Sequence, residues 1–217
     1  YCSNSGFSFN TAAGLRDISL QLEHGRQYMR QRFGAEKFIA YFQAYSSTYA
    51  PPGRLRELFD LALDHPEMAG LSVSTRPDCV PDEVLDLLAG YCRRVLTWLE
   101  LGLQSASDAT LARINRCHTV ADFADAARRA ALRGIPVAAH VILGLPGEGR
   151  EQALATAGYL AALPVSGLKL HALHILRGSR LEQEHAGAPL PLLSLEEYAS
   201  LACDFLERTR PEVVIQR

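Results

Sequence analysis

Three stretches of the chain set chemically able side chains at the ends of apolar runs: TRPD (75–78), ELGLQSASDATLARINRCH (100–118) and HVILGLPGE (140–148). Between them they offer a buried-looking carboxylate, an amide, a guanidinium and an imidazole. Taken singly, each has a plain structural explanation. Glu100 could be paired to an arginine, Gln104 could cap the helix beginning near Ser107, and His140 could be a satisfied core histidine. The run GLPGEG (144–149) has neither GxGxxG spacing nor the Lys-Ser/Thr of a phosphate-binding P-loop. His171 and His174, three apart on a strand, would point to opposite faces and not share a metal. The five cysteines (Cys2, Cys79, Cys92, Cys117, Cys203) are dispersed, odd in number and never in a CxxC pair. That pattern indicates neither a disulfide framework nor a zinc knuckle and makes a reducing, cytoplasmic setting the expectation. Cys92 and Cys203 read as small buried hydrophobes.

The elements that must position these groups alternate regularly. Strand-like runs cover 37–45, 70–76, 95–103, 137–145, 167–176 and 212–216, and segments of helical period cover 54–65, 81–92, 106–115, 120–134, 150–163 and 194–209. Leu55, Leu58, Leu61 and Ala62 form a stripe at helical spacing. Gly134 is placed to stop one helix, and Ser194 with Glu197 forms a capping box for another. Such alternation specifies βαβ units and a parallel sheet. Six strands are too few for a closed eight-stranded barrel, so an open or partial barrel, or a doubly wound sheet, is expected. In either case the reactive groups belong at the carboxyl ends of the strands, where these motifs lie. With 217 residues, 48% of them hydrophobic, 21% charged and a net charge of −2, the chain can bury one sizeable core. Its net charge gives no global reason to favour nucleic acid, and no apolar run is long enough to span a bilayer.

In order and at strand-to-strand spacing, the three motifs together with FQAYSSTYA (42–50) and KLHALHILRGS (169–179) resemble the radical S-adenosylmethionine (SAM) superfamily. The likeness is to the branch shared by Elongator-type catalytic subunits and their short bacterial relatives, and it covers essentially the whole chain. It implies a partial (β/α)6 TIM-like barrel, here lacking its first strand, over a single core domain at 1–217. It also implies two cofactors, SAM and a [4Fe–4S] cluster held by three cysteines with one iron left open for SAM. In the family the last of those cysteines follows an aromatic residue, as Cys2 follows Tyr1. The other two would precede Tyr1, so the chain as given is expected to be an N-terminally truncated piece, inactive by itself, with a C-terminal tail that could also be cut short. Carried over by strand, the SAM contacts fall on Gln43 and Ala44, on Ser74 or Thr75, and on Glu100. Gln104 and, twelve residues later, Arg116 correspond to the groups that reach the ribose and the carboxylate. His140 takes the ribose or adenine contact of the fourth strand, Gly144 allows close backbone approach, and Leu173 and His174 flank the adenine. Cys117 stands where relatives carry glycine, and His118 is either a substrate-side group or structural.

The resemblance implies an enzyme that cleaves SAM to a 5′-deoxyadenosyl radical, served by a flavodoxin- or ferredoxin-type electron donor and acting on a substrate the sequence does not name. A tRNA or another macromolecule is the candidate, and a basic stripe of Arg54, Arg56, Arg76, Arg113 and Arg116 at the barrel mouth would favour it. The alternative is a non-catalytic SAM- and cluster-binding protein of haem-trafficking type, with His171 or His174 as haem ligands. An iron-free TIM-type lyase or isomerase leaves the ordered motif set unexplained.

Overall fold

The computed structural model describes residues 17–43, 45–188 and 190–216. Helix α1 (Ile18–Phe33) leads into β1 (Phe38–Phe42), α2 (Pro52–Leu63) and β2 (Met68–Thr75), followed by a 3-10 turn (Pro77–Cys79) and α3 (Asp82–Cys92). Next come β3 (Leu96–Gln104), α4 (Asp108–Arg113), α5 (Val120–Leu132), β4 (Val137–Leu143) and α6 (Arg150–Ala161). The chain then runs through β5 (Gly167–Ala172), α7 (Arg180–Glu184) and α8 (Leu195–Leu206) to β6 (Val214–Ile215). The six strands pair in chain order, all parallel.

Each strand sorts its residues by alternation. Leu71 and Val73, Leu99, Leu101 and Leu103, Val137, Ala139 and Val141, and Leu168 and Leu170 point to one face, where they pack under the helices in a single core. Phe59 on α2 is fully buried there, edge-on to Phe42 at 5.1 Å and to Tyr91 at 5.8 Å between ring centroids. The buried stripe of α2 is Leu55, Phe59 and Ala62. Leu61, which its spacing put in that stripe, is 46% exposed.

The opposite face is the concave one. Tyr41 of β1 donates to Glu100 of β3 at 2.9 Å, and its hydroxyl lies 3.5 Å from Lys169 Nζ of β5. In a flat sheet strands 1 and 5 would stand about 19 Å apart, four spacings of roughly 4.8 Å. Contact across that interval requires the sheet to curl into an open barrel, which the parallel (β/α)6 expectation anticipated. Trp98 fills the lower end of the concavity: a Cβ on Gly167 would stand 2.9 Å from its ring.

The local signals behaved as their chemistry dictates. Ser194 caps α8 in a reciprocal box with Glu197, and Thr119 caps α5 likewise with Asp122. Gly134, at φ +71°, turns the chain after α5. Three elements differ from expectation. Helix α1 was not anticipated, because none of its residues is fully buried and its contact with the core, through Leu22, is partial. Its ends were nonetheless marked by Asp17, which accepts from Leu20 N–H, and by Gly34 in the left-handed region. Strand β5 stops at Ala172, so His174 lies beyond it, and the opposed-face argument for His171 and His174 does not apply. Cys203 is exposed rather than buried, because it sits on the outer side of α8.

Candidate cofactor site

The carboxyl ends of β2, β3 and β4 converge at the mouth of the barrel. Ser74 shares the inner face with Ser72, Glu100 and Gly102 through the parallel ladders. Thr75 turns the other way. Its hydroxyl meets that of Thr48 at 2.7 Å, and Thr48 in turn donates to the Cys79 carbonyl. Ser74 is thus the member of this pair available to a ligand, while Thr75 holds the loop after β1.

Gln104 and Arg116 meet over Gly102. Arg116 donates to the Gly102 carbonyl at 3.4 Å. A Cβ on Gly102 would lie 2.5 Å from Gln104 Nε2 and 2.9 Å from an Arg116 nitrogen, so a side chain there would make both long side-chain ends shift. Gln104 is itself held at φ 71°, an uncommon conformation for a residue with a side chain, where the ladder to β4 slips by one residue. Gly144, at φ +82°, ends the turn out of β4 beneath Leu193. Leu173 packs against the small cluster of Leu111, Ile114 and Leu145, and His174 is exposed at the rim. Gln43 is exposed at the end of β1, whereas Ala44 and Cys2 lie outside the described residues.

Below this rim lies a layer of charge that sequence reasoning only half found. Glu100 is 2% exposed. It accepts from Ser72 at 2.5 Å, from Tyr41 at 2.9 Å, from Lys169 at 2.7 Å on both oxygens, and shares a 2.7 Å bond with His140 Nε2. Burial alone would raise its pKa, but the bonds from His140, Lys169 and Ser72 outweigh that and hold it down at about 2. The partner is a lysine and not an arginine. Every lone pair Glu100 can offer faces a protein donor, which places it under the rim rather than at it.

His118 is buried beside Arg116 and Asp78, inside the loop between α4 and α5. Burial and the Arg116 charge push its imidazole down to about 4. The anticipated basic stripe is partly cancelled: Arg54 is paired with Glu57 and Arg76 with Asp78. Among the described residues no three His, Cys, Asp or Glu side chains gather into a metal site, and no helix is long and apolar enough to cross a membrane.

A curled parallel sheet with an amide, a guanidinium, a hydroxyl and an imidazole near its carboxyl rim defines a class: an open α/β barrel with polar groups gathered across several strand ends. Residues 1–160 match the Radical SAM superfamily and residues 165–217 its Radical_SAM C-terminal domain, so the chain belongs to the radical SAM family. It is 41% identical over 218 residues to protein YhcC of Escherichia coli K12, covering all of this chain and 69% of that protein. It is 37% identical over 217 residues to the uncharacterized protein YtqA of Bacillus subtilis, covering 67% of it. The chain therefore spans about two thirds of the length of these relatives. Human Elongator complex protein 3 shares 32% identity over 116 residues, 52% of this chain and 20% of that protein. Among solved structures, Elp3 of the archaeon Methanocaldococcus infernus superposes with a TM-score of 0.80 at 17% identity, covering 97% of this chain and 54% of that one. The cofactors of the family are SAM and a [4Fe–4S] cluster.

Proposed function

We propose that this chain is the SAM-holding core of a radical enzyme whose substrate is presented at the barrel mouth. The observation that carries the reading is the meeting of Gln104 and Arg116 over Gly102, with Ser74 on the next strand end. These groups suit SAM: a guanidinium matches the methionyl carboxylate, and amide and hydroxyl groups match the ribose. Gln43 and the backbone at Ala44 would receive the amino group, His140 and Gly144 would lie along the nucleoside, and Leu173 and His174 would flank the adenine. Cys2 would be one of three cluster ligands. Bound there and reduced through the cluster, SAM supplies a 5′-deoxyadenosyl radical that takes hydrogen from a substrate. The chain's own residues grip the two ends of the cofactor and fix its position against the cluster. A flavodoxin- or ferredoxin-type protein would deliver the electron. RNA as the substrate rests on the Elongator likeness, an associational argument, and gains nothing from Arg54 and Arg76, which are already paired.

The test uses full-length protein, reconstituted with iron and sulfide under anaerobic conditions and reduced with dithionite in the presence of SAM. Release of 5′-deoxyadenosine supports the enzyme. An intact cluster with SAM bound and no cleavage would instead select the haem-trafficking type of binding protein.

A further inference from the structure

Glu100 bonds a residue on each of the other four long strands: Tyr41 on β1, Ser72 on β2, His140 on β4 and Lys169 on β5. Nothing in the proposed chemistry asks for that convergence. We infer that Lys169 and Tyr41, joined through Glu100, are positioning residues: they form a strut across the barrel that fixes how far apart the rim holds the two ends of its ligand. This rests on the proposed SAM site, which assigns no ligand contact to either residue.

The backbone leaves the width of the mouth open. Each ladder joins a strand to its sequence neighbour, and β1 and β5 stand four places apart in the sheet. Ladders hold neighbours near 4.8 Å, but the angle between successive strands ranges over roughly 10–35°. Small changes at four junctions add up across the mouth, so contacts inside the curve must set its width. Here those contacts have defined lengths. Lys169 Nζ lies 2.7 Å from both Glu100 oxygens, 3.5 Å from the Tyr41 hydroxyl and 4.5 Å from the centre of the Tyr41 ring. The Tyr41 hydroxyl itself donates to Glu100 at 2.9 Å. The ion pair is well shielded, with 14% of the lysine and 3% of the glutamate side chain exposed. Apolar contacts are non-directional and tolerate sliding, whereas a shielded charge pair offsets its desolvation only while its geometry is held. The strut stands directly below the rim. Gln43 follows Tyr41 by two residues and His171 follows Lys169 by two, so each strand end extends from one end of the strut. In the proposed site SAM runs from Gln43, at its methionyl end, to Leu173 and His174, at its adenine. A ligand that spans the mouth therefore feels the length of the strut, and one that grips a single side does not.

Tyr41→Phe removes the β1 end of the strut and leaves Glu100 its lysine, histidine and serine partners, so the buried charges stay paired. In reconstituted full-length protein, SAM affinity of this variant should fall about fivefold, the scale of one hydrogen bond. 5′-Methylthioadenosine carries the nucleoside without the methionyl amino and carboxylate groups, and it should bind Tyr41→Phe as tightly as wild type. Lys169→Met should show the same separation more strongly, with SAM weakened about tenfold, because the bond lost there is charge-assisted. Equal weakening of both ligands in Tyr41→Phe would mark a general loosening of the fold and overturn the inference, as would unchanged SAM affinity. Hydrogen–deuterium exchange without ligand separates the strut from the SAM reading. Amides of β1 and β5 should exchange faster in Tyr41→Phe, while those of α3 and α5 keep their wild-type rates. If wild type fails to bind SAM and that exchange pattern holds, the SAM reading falls and the strut stands. If β1 and β5 exchange as in wild type, the strut falls whether or not SAM binds.

Discussion

Gly102 is the residue on which the cofactor rim turns, although its own side is bare. The two long polar side chains that cross it need the volume a methyl group would take. Gly102→Ala should therefore displace Gln104 and Arg116 together and weaken SAM binding in full-length protein, with iron content unchanged. Arg116→Ala should cost roughly 10- to 100-fold in affinity, the range for a hydrogen bond to a charged group. Unchanged SAM titrations for both variants would show the rim to be misassigned. His118 makes a separate prediction. Its imidazole, at about 4 in the fold against 6.5 when free, resists protonation where the unfolded chain accepts it. Stability should thus decline as pH falls from about 6.5 to about 4 and be unaffected by this group above that window. Thermal melts of His118→Leu should lose that part of the slope; an unaltered slope would place the acid sensitivity elsewhere. The spacing of Gln104 and Arg116 was legible in the sequence, because both flank one short helix. Lys169 and Tyr41 were not: a lysine in a strand resembles a solvent-facing position, and a tyrosine in FIAYF resembles core. Only the curl of the sheet brings them onto Glu100.

The elements were legible where one face of each is buried. Strands β3 and β4 alternate core leucine, valine and alanine with concave-face Glu100, Gly102 and His140, and their boundaries were close to expectation. Helix α1 fails this criterion, since none of its residues is fully buried; Leu22 packs partly against the core, and Arg26 and Arg30 pair with Glu67. On α2 the periodic stripe was shifted toward Leu61, because Phe59 and Leu61 fall near opposite edges of an apolar arc and sequence alone weighs them alike. Packing distinguishes them. Phe59→Ala, which empties a fully buried site between Phe42 and Tyr91, should destabilise the protein by about 3–5 kcal/mol. Leu61→Ala, at an exposed position, should change stability by less than about 0.5 kcal/mol. Chemical denaturation of the two variants measures the difference, and equal effects would contradict the assigned face of α2.

At the scale of the molecule, the concave face of the sheet is layered from one end to the other. Trp98 occupies the lower end, the Glu100–Lys169–His140 layer crosses the middle, and the open rim carries Ser74, Gln104 and Gly144. A parallel sheet could be read from the alternation of elements, but not whether it lay open and flat or curled. That choice is made by contacts between strands four apart, which no local signal encodes. The curl places the rim groups around one volume and makes a shared cofactor physically reasonable. The central claim, that this rim holds SAM against a cluster, is tested most directly by electron paramagnetic resonance of the reduced, reconstituted full-length protein. Addition of SAM should change the spectrum of the [4Fe–4S] cluster, and should do so only at much higher concentration in Arg116→Ala. A spectrum that SAM leaves unaltered in wild type would contradict the account.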